Sequence, residues 1–520
     1  MLHTASSFRG MVTAPHHLAA QSGLDVLKEG GSAAEAAVAV AATLAVVYPH
    51  MNSIGGDSFW LVREPGGRLH GVHAVGGAAG KAELSLYKGL TAVPWRGPLA
   101  ANTVAGTICG WQAMLADGAL PLDRILRDAI VYAEDGVAVT EGGAAAATSK
   151  DADLRAVAGY ADVFRPQGRP LGVGDRLKQP ALARTLRRLV RDGLDGFYRG
   201  DLARDIAADL SAAGSPVAAA DLEAHAITRP APLQTRLRAA TLYNTAPPTQ
   251  GFASLMILAL YDRLQGTGEF AHVHGLVEAT KRAFLLRDRH IHDPLHMDFD
   301  PQALLDDPAA LDALAAEIDP ARALPWPQPP SGGDTVWFGV IDNEGRAVSA
   351  IQSIYFEFGS GLVLPQTGIV WQNRGASFRL AESGWNALKP GRKPFHTLNP
   401  ALAVFDDGRV MPYGAMGGEG QPQTQAAVFS RYAAGMGLQA AITAPRWLLG
   451  RTWGEDSVTL KIEDRFDAAL YDALRDAGHA VERVAPFTSI MGHAGALVRH
   501  ADGRIDGATD PRSDGGVAAW

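Results

Sequence analysis

Cysteine is almost absent: the 520 residues hold one, Cys109, which excludes an internal disulfide and a thiolate cluster for zinc. In Thr107-Ile108-Cys109-Gly110 it reads as buried packing. A basic excess is also missing, since 47 Lys and Arg against 55 Asp and Glu leave a net charge of −8. Phosphate recognition needs clustered cations, so a nucleic-acid partner is not expected. The basic residues from Arg184 to Arg191 are spaced as on a solvated helix face. Nor is there a long apolar run. Glu35 interrupts the Ala-rich stretch from Ala33 to Val47, and no window approaches the about 20 apolar residues of a membrane span. The opening MLHTASSFRG lacks an apolar segment behind a basic flank, so it does not read as a secretory signal and a cytoplasmic location is expected.

What is present is ordinary soluble composition, 47% hydrophobic and 20% charged, in a chain long enough for two subdomains or one multilayer fold. Leu18, Leu24, Val26 and Leu27 predict a helix ending at Gly30-Gly31, with Ser32 capping the next. Phe59-Trp60-Leu61-Val62 and Leu69-His70-Gly71-Val72 flank Glu64-Pro65-Gly66-Gly67 as a hairpin. The pattern is mainly helical from about Ala119 to Leu210. Pro230 to Pro248 predicts one more strand, and Ala246-Pro247-Pro248-Thr249-Gln250-Gly251 a stiff loop before an apolar helix near Phe252.

Pro320, Pro325, Pro327, Pro329 and Pro330 lead into Ser331-Gly332-Gly333, a boundary that cannot hold regular structure. Beyond it three hairpins are predicted, over Val336 to Ile351, Ala401 to Tyr413 and Ala494 to Ala508, with helices near Gln425 to Met436 and Ala468 to Ala477. Strands from both sides of the boundary should share a core covered by helices, giving an α/β layered fold.

The informative segment is Gly332-Gly333-Asp334-Thr335-Val336-Trp337-Phe338, which places a hydroxyl residue directly after a flexible loop, at the start of an apolar strand. Cleavage between Asp334 and Thr335 would give Thr335 a free α-amine beside its own hydroxyl. Such an amine has an ordinary pKa of about 7.7 to 8.0 and can serve as the local base that a threonine nucleophile needs. Alone, Gly-Gly-Asp-Thr also describes an ordinary loop-to-strand junction.

The surroundings are more specific: Met11-Val12-Thr13-Ala14-Pro15, Gly23 to Ala33, Ser53-Ile54-Gly55-Gly56-Asp57-Ser58-Phe59, Ala246 to Gly251, Thr335 to Val348, Phe358-Gly359-Ser360-Gly361, Gly417-Gly418 and Gly507-Ala508-Thr509-Asp510-Pro511-Arg512. Through these ordered segments the sequence resembles the gamma-glutamyltranspeptidase family along nearly its whole length. The resemblance implies a four-layer αββα sandwich of the N-terminal-nucleophile hydrolase type. It also implies autocleavage before Thr335 into a large segment, 1–334, and a small one, 335–520, intertwined in one fold. The two pieces would pair as a heterodimer, with a dimer of such pairs left open, and no cofactor or metal is implied. Thr335 would be the nucleophile, Ser353 the hydroxyl that orients it, and Gly417 and Gly418 the backbone donors of the oxyanion hole. By composition alone the Gly-rich stretch through Gly420 could also be a turn; no Lys-Ser or Lys-Thr follows to make it a phosphate loop.

The resemblance breaks down where glutathione-directed members hold the substrate's α-carboxylate and α-amine. The family's Arg of the large segment is replaced, with Val75 nearest, and its Ser pair becomes His396-Thr397. Tyr355, Arg374 and Ser377 stand where amide and acidic groups would hold the amine. Arg374 would repel an ammonium but could fork onto a carboxylate; as a plain alternative it is a structural Arg. The pocket thus suits a small carboxylate-bearing amide, and the family's oxamate-hydrolysing branch is a specific expectation, with gamma-glutamyl transfer or hydrolysis as the alternative. Two other classes compete. One is a metal-dependent hydrolase built on His272-Val273-His274 and His290-Ile291-His292-Asp293, although residues two apart on a helix face different ways. The other is an unprocessed binding protein.

Overall fold

The computed structural model describes residues 3–326, 334–450 and 457–520. Helix His17–Lys28 ends ahead of Gly30, which takes φ 90°, and Ser32 caps the following helix Ala33–Val47 in a reciprocal box with Glu35. That second helix is apolar on nearly every side and buried except at Ala34, as befits an element enclosed by other helices and a sheet.

Two large sheets follow from the strand pairing. One has six strands in the order Gly516–Ala519, Met11–Ala14, Asp334–Ile341, Ala347–Tyr355, Asp57–Arg63 and Leu69–Ala74. The other has seven: Ala5–Ser7, Ile505–Thr509, Ala494–Arg499, Val410–Ala415, Ala401–Phe405, Ala240–Asn244 and Leu233–Arg236. Both mix strands from before and after the Asp334-Thr335 junction, so neither part of the sequence completes a sheet alone. The three hairpins expected after the boundary are present, as is the one spanning Glu64-Pro65-Gly66-Gly67. The stretch from Pro230 to Pro248 holds two antiparallel strands where one was expected; Leu237 to Ala239 is a turn too short to interrupt the apolar pattern.

Three apolar layers separate four structural ones. Val38, Val40 and Leu44 join Val336, Phe338 and Val348 in a core between helices and the six-stranded sheet. Met11, Leu61, Ile341, Leu402, Val410 and Leu497, with Phe59, Trp337, Ile351 and Leu398, fill the space between the sheets. Phe252, Met256, Val277 and Phe429 pack helices on the outer face of the seven-stranded sheet, against Leu242, Ala403 and Met411. The architecture is the expected four-layer αββα sandwich. Trp337 sets the spacing of the sheets. A Cβ at Gly414 would come within 2.2 Å of its ring, and one at Gly495 within 2.4 Å, so both facing positions must lack a side chain.

Residues 319–326 have no regular structure, in line with the proline pattern, and the rest of the expected boundary lies outside the described residues. Among the described residues no helix is long and apolar enough to cross a membrane.

Candidate active site

Three neighbouring strands of the six-stranded sheet bring the site's polar groups into one row. Thr335 lies at the start of Asp334–Ile341, fully buried, and its Oγ1 donates to Ser353 Oγ at 3.3 Å. Ser353 Oγ also accepts from the Tyr355 backbone N–H at 2.9 Å. On the far side of Ser353 its direct cross-strand partner is Asp57. Side chains opposed in register share a sheet face, so hydroxyl, hydroxyl and carboxyl run Thr335, Ser353, Asp57. A register irregularity between Gln352 and Tyr355 interrupts pairing beside Thr335, and Tyr355 takes φ 82°, a costly conformation for an aromatic residue. Backbone strain of this kind is characteristically retained where it aims a side chain.

Tyr355 presents its ring to Arg374, whose guanidinium carbon lies 3.8 Å from the ring centroid. Arg374 is 1% exposed. Its Nη1 donates to Thr397 Oγ1 at 3.4 Å, while Nη2 has no hydrogen-bond acceptor among the described residues. Burial lowers its pKa to about 10, against the pull of Tyr355 and Asp57, so it keeps its charge at neutral pH. His396 is fully buried beside it; neither ring nitrogen has a hydrogen-bond partner among the described residues. Its Nε2 lies 3.5 Å from Asp57 Oδ2, and its ring meets Phe59 edge-on. Burial, then Arg374, holds the imidazole well below its ordinary pKa.

The loop Ala246 to Gly251 holds His396 and Thr397 in place: Gln250 N donates to His396 O at 3.0 Å, and His396 N to Pro248 O at 2.9 Å. Gln250 Nε2 then donates to Thr397 O at 2.7 Å and to Gly418 O at 2.8 Å, tying this wall to the Gly pair. Behind Gln250 the buried Arg287 donates to Gln250 Oε1 and to Glu419 Oε2. Gly417 and Gly418 have φ of 131° and 51° and connect strand Val410–Ala415 to helix Gly420–Ala433. Only Gly adopts the first value without strain. The pair sits ahead of a helix N-terminus, where the dipole favours negative charge.

Of the residues singled out by sequence, Thr335, Ser353, Tyr355, Arg374, His396 and Thr397 form a linked set with the Gly417-Gly418 turn tied to it. Ser377 is turned elsewhere: its Oγ donates to Phe395 O at 3.4 Å. Val75 is buried in the cluster of Phe59 and Trp337 and offers no polar group. Asp57 was missed as a site residue. Its segment, Ser53 to Phe59, entered only as one of those that carry the family resemblance; the two glycines ahead of it are needed because a Cβ at Gly55 would meet Val370 O at 2.3 Å and one at Gly56 would meet Ser353 O at 2.2 Å. The two histidine pairs do not converge. Tyr261 OH bonds His272 Nδ1, His274 meets His479, His290 stacks on Phe299, and His292 receives Arg392. One other cluster among the described residues, His274, Glu278 and His479, has its ligand atoms within 4.8 Å of one another. Its groups are already engaged: Lys281 and Leu324 N donate to Glu278, and His274 Nε2 meets Asp319 O.

The gamma-glutamyltranspeptidase family profile matches residues 19–520. Over 529 aligned residues the chain is 55% identical to the oxamate amidohydrolase proenzyme of Klebsiella pneumoniae subsp. pneumoniae, covering 100% of both. It is 42% identical to the glutathione hydrolase-like YwrD proenzyme of Bacillus subtilis, covering 97% of each. The solved cephalosporin acylase from Bacillus halodurans superposes with a TM-score of 0.92 at 33% identity, over 100% of this chain and 97% of that one. The chain therefore belongs to the gamma-glutamyltranspeptidase family and is an enzyme of the N-terminal-nucleophile hydrolase class.

Proposed function

We propose that the protein is a self-processing amidohydrolase that cleaves a small carboxylate-bearing amide of the oxamate type. The observation that carries this reading is the buried Arg374, stacked on Tyr355 with one guanidinium nitrogen unpartnered among the described residues, in the same linked set as Thr335. A desolvated guanidinium with open donors is suited to a carboxylate and repels an ammonium. The 55% identity to an oxamate amidohydrolase proenzyme supports the same choice of substrate.

In the mechanism we infer, the bond between Asp334 and Thr335 is cut by the protein itself, leaving segments 1–334 and 335–520 associated through sheets to which both contribute. The new α-amine of Thr335 takes the proton of its own hydroxyl as Oγ1 attacks the amide carbon. Ser353 holds that hydroxyl in line. Negative charge developing on the carbonyl oxygen is met by the backbone donors of Gly417 and Gly418, an arrangement in which each donor contributes on the order of 3 kcal/mol to lowering the barrier. Ammonia leaves with a proton returned by the amine, and water then releases the acyl group from Thr335 by the same route in reverse.

The test is direct. Purified protein should resolve into two bands on a denaturing gel, the smaller beginning Thr-Val-Trp-Phe, and should release ammonia from oxamate. Thr335→Ala should abolish both. Cleavage that persists in Thr335→Ala would remove the processing role, and turnover of gamma-glutamyl-p-nitroanilide as efficient as any small acid amide would remove the substrate assignment.

A further inference from the structure

The buried set around Arg374 contains an acid that an anion site does not call for. Asp57 lies within it, 1% exposed, opposite Ser353 in the sheet. Its Oδ1 accepts from Gly76 N at 3.2 Å and Gly106 N at 3.0 Å, which fixes the carboxyl plane. Among the described residues Oδ2 has no donor placed on it; it lies 3.5 Å from His396 Nε2, which likewise has no hydrogen-bond partner there. The Gln372 side chain also bears on Asp57 and, as a donor, favours its ionised form. A buried carboxyl oxygen facing a ring nitrogen that likewise lacks a partner is the arrangement a proton would complete.

Charge balance leads to the same place. With the site empty, Arg374 offsets an ionised Asp57. A substrate carboxylate would claim Arg374 and leave Asp57 an uncompensated buried anion, which is strongly unfavourable at low dielectric. We propose that Asp57 and His396 act as a proton-holding pair that takes up one proton from solvent when a carboxylate binds beside Arg374, and that this uptake sets the preference for anionic substrates. The inference rests on the carboxylate-amide reading above. Asp57 touches no reacting atom in this scheme and is a positioning residue acting through His396 and Arg374.

The other groups facing the pair do not provide that proton. His73, beyond Phe59, is held neutral by burial, then by Lys393, with its pKa at about 3. Tyr198 is pushed well above its ordinary range by burial. Lys393 is part-exposed, with its Nζ 3.3 Å from Thr228 Oγ1; its charge bears on Asp57 and His396 but already stands as a cation before any anion binds, so it adds no proton. Burial raises Asp57 to about 7 against the pull of Gly76 N–H and Arg374, so an incoming anion raises it further and proton uptake falls in the alkaline range above that value.

Pyruvate is the probe: it matches oxamate in shape and charge but has a methyl group where the scissile nitrogen would be. Calorimetric titration of the processed enzyme, about one pH unit above 7 and in two buffers of different ionisation enthalpy, should show uptake approaching one proton per site. Pyruvate affinity should fall about tenfold per pH unit across that range. In Asp57→Asn, which keeps an acceptor for Gly76 and Gly106, uptake should vanish and the pH profile flatten. For a readout independent of how that variant folds, infrared difference spectra of wild-type enzyme with isotope-labelled aspartate should show a protonated carboxyl or an imidazolium gained on binding. Pyruvate bound without proton uptake, or uptake that survives in Asp57→Asn, overturns the proposal while leaving the carboxylate pocket intact. Failure of wild type to bind pyruvate at all removes the pocket and both readings with it.

Discussion

Replacing Arg374 by Met is the sharpest perturbation of the substrate assignment. The stem retains most of its volume, so the packing against Tyr355 is largely kept, while the charge and the fork are lost. The structure shows what that removes: a guanidinium 1% exposed, stacked at 3.8 Å on a tyrosine ring, with Nη2 unclaimed by any acceptor among the described residues. Truncating one partner of a buried, hydrogen-bonded charge pair costs about 2–5 kcal/mol. In kcat/KM for oxamate that is a loss of about 30-fold to several thousandfold.

A neutral amide separates this from general damage. Acetamide has no carboxylate, so its poor kcat/KM should change little in Arg374→Met, and the ratio of oxamate to acetamide should collapse by the full factor. Processing should continue, read as two bands on a gel, because the Thr335 and Ser353 hydroxyls are unaltered. The variant should also fold. Without Arg374, Asp57 loses a cation that holds its pKa down, and its carboxyl, already raised to about 7 by burial, rises further and stays neutral at the assay pH. Oxamate turnover retained within twofold in a processed Arg374→Met enzyme would refute the carboxylate role and leave Arg374 a structural residue.

Other perturbations test the frame around the site. Gln250→Leu removes the donor shared by Thr397 O and Gly418 O and strands the buried Arg287 Nη1; a stability loss of about 3–5 kcal/mol is expected in denaturant titration, with a fall in kcat. Unchanged kcat would mean that the Gly417-Gly418 turn holds its shape without that tie. Gly414→Ala sets a methyl group 2.2 Å from the Trp337 ring, overpacking the space between the sheets at a cost of about 1–3 kcal/mol. Asp57 gives a pH signature of stability. Its carboxyl is raised from about 3.9 in an unfolded chain to about 7 in the fold, so the native state keeps a proton that the unfolded state releases. This contribution is fully present below pH about 4 and is lost as pH rises toward about 7. The stability difference between Asp57→Asn and wild type should therefore shift in favour of the variant across that window; a constant difference would place the wild-type proton elsewhere.

The fold was readable because its signals are local. Period-two apolar runs around Asp342-Asn343-Glu344-Gly345, Asp406-Asp407-Gly408 and Ala501-Asp502-Gly503 produced three hairpins, and Ser32 with Glu35 produced a capping box. The strand pair at Leu233–Arg236 and Ala240–Asn244 was merged into one because the reversal between them carries no Gly or Pro to mark it. The order of strands within each sheet could not be read in this way. Gly516–Ala519 beside Met11–Ala14 joins the two ends of the chain, a pairing without local signal.

The site divides along the same line. Thr335 and the Gly pair came to notice through contiguous motifs shared with the family, since alone one reads as an ordinary loop-to-strand junction and the other as a turn. Asp57 leaves no such mark. It is one acid among 55 Asp and Glu, and what distinguishes it is register. Pairing Ser353 with Asp57 puts a carboxyl beside a hydroxyl that Thr335 itself contacts, and shifting that strand by one residue would turn the acid to the opposite face. Glycine at positions 55 and 56 permits that register, since a Cβ at either would collide with backbone carbonyls. The glycines and the acid are therefore one feature: the two small residues hold the strand close enough for the third to reach His396. Gly56→Ala should on this argument perturb oxamate KM and its pH dependence together, as Asp57→Asn does, rather than stability alone.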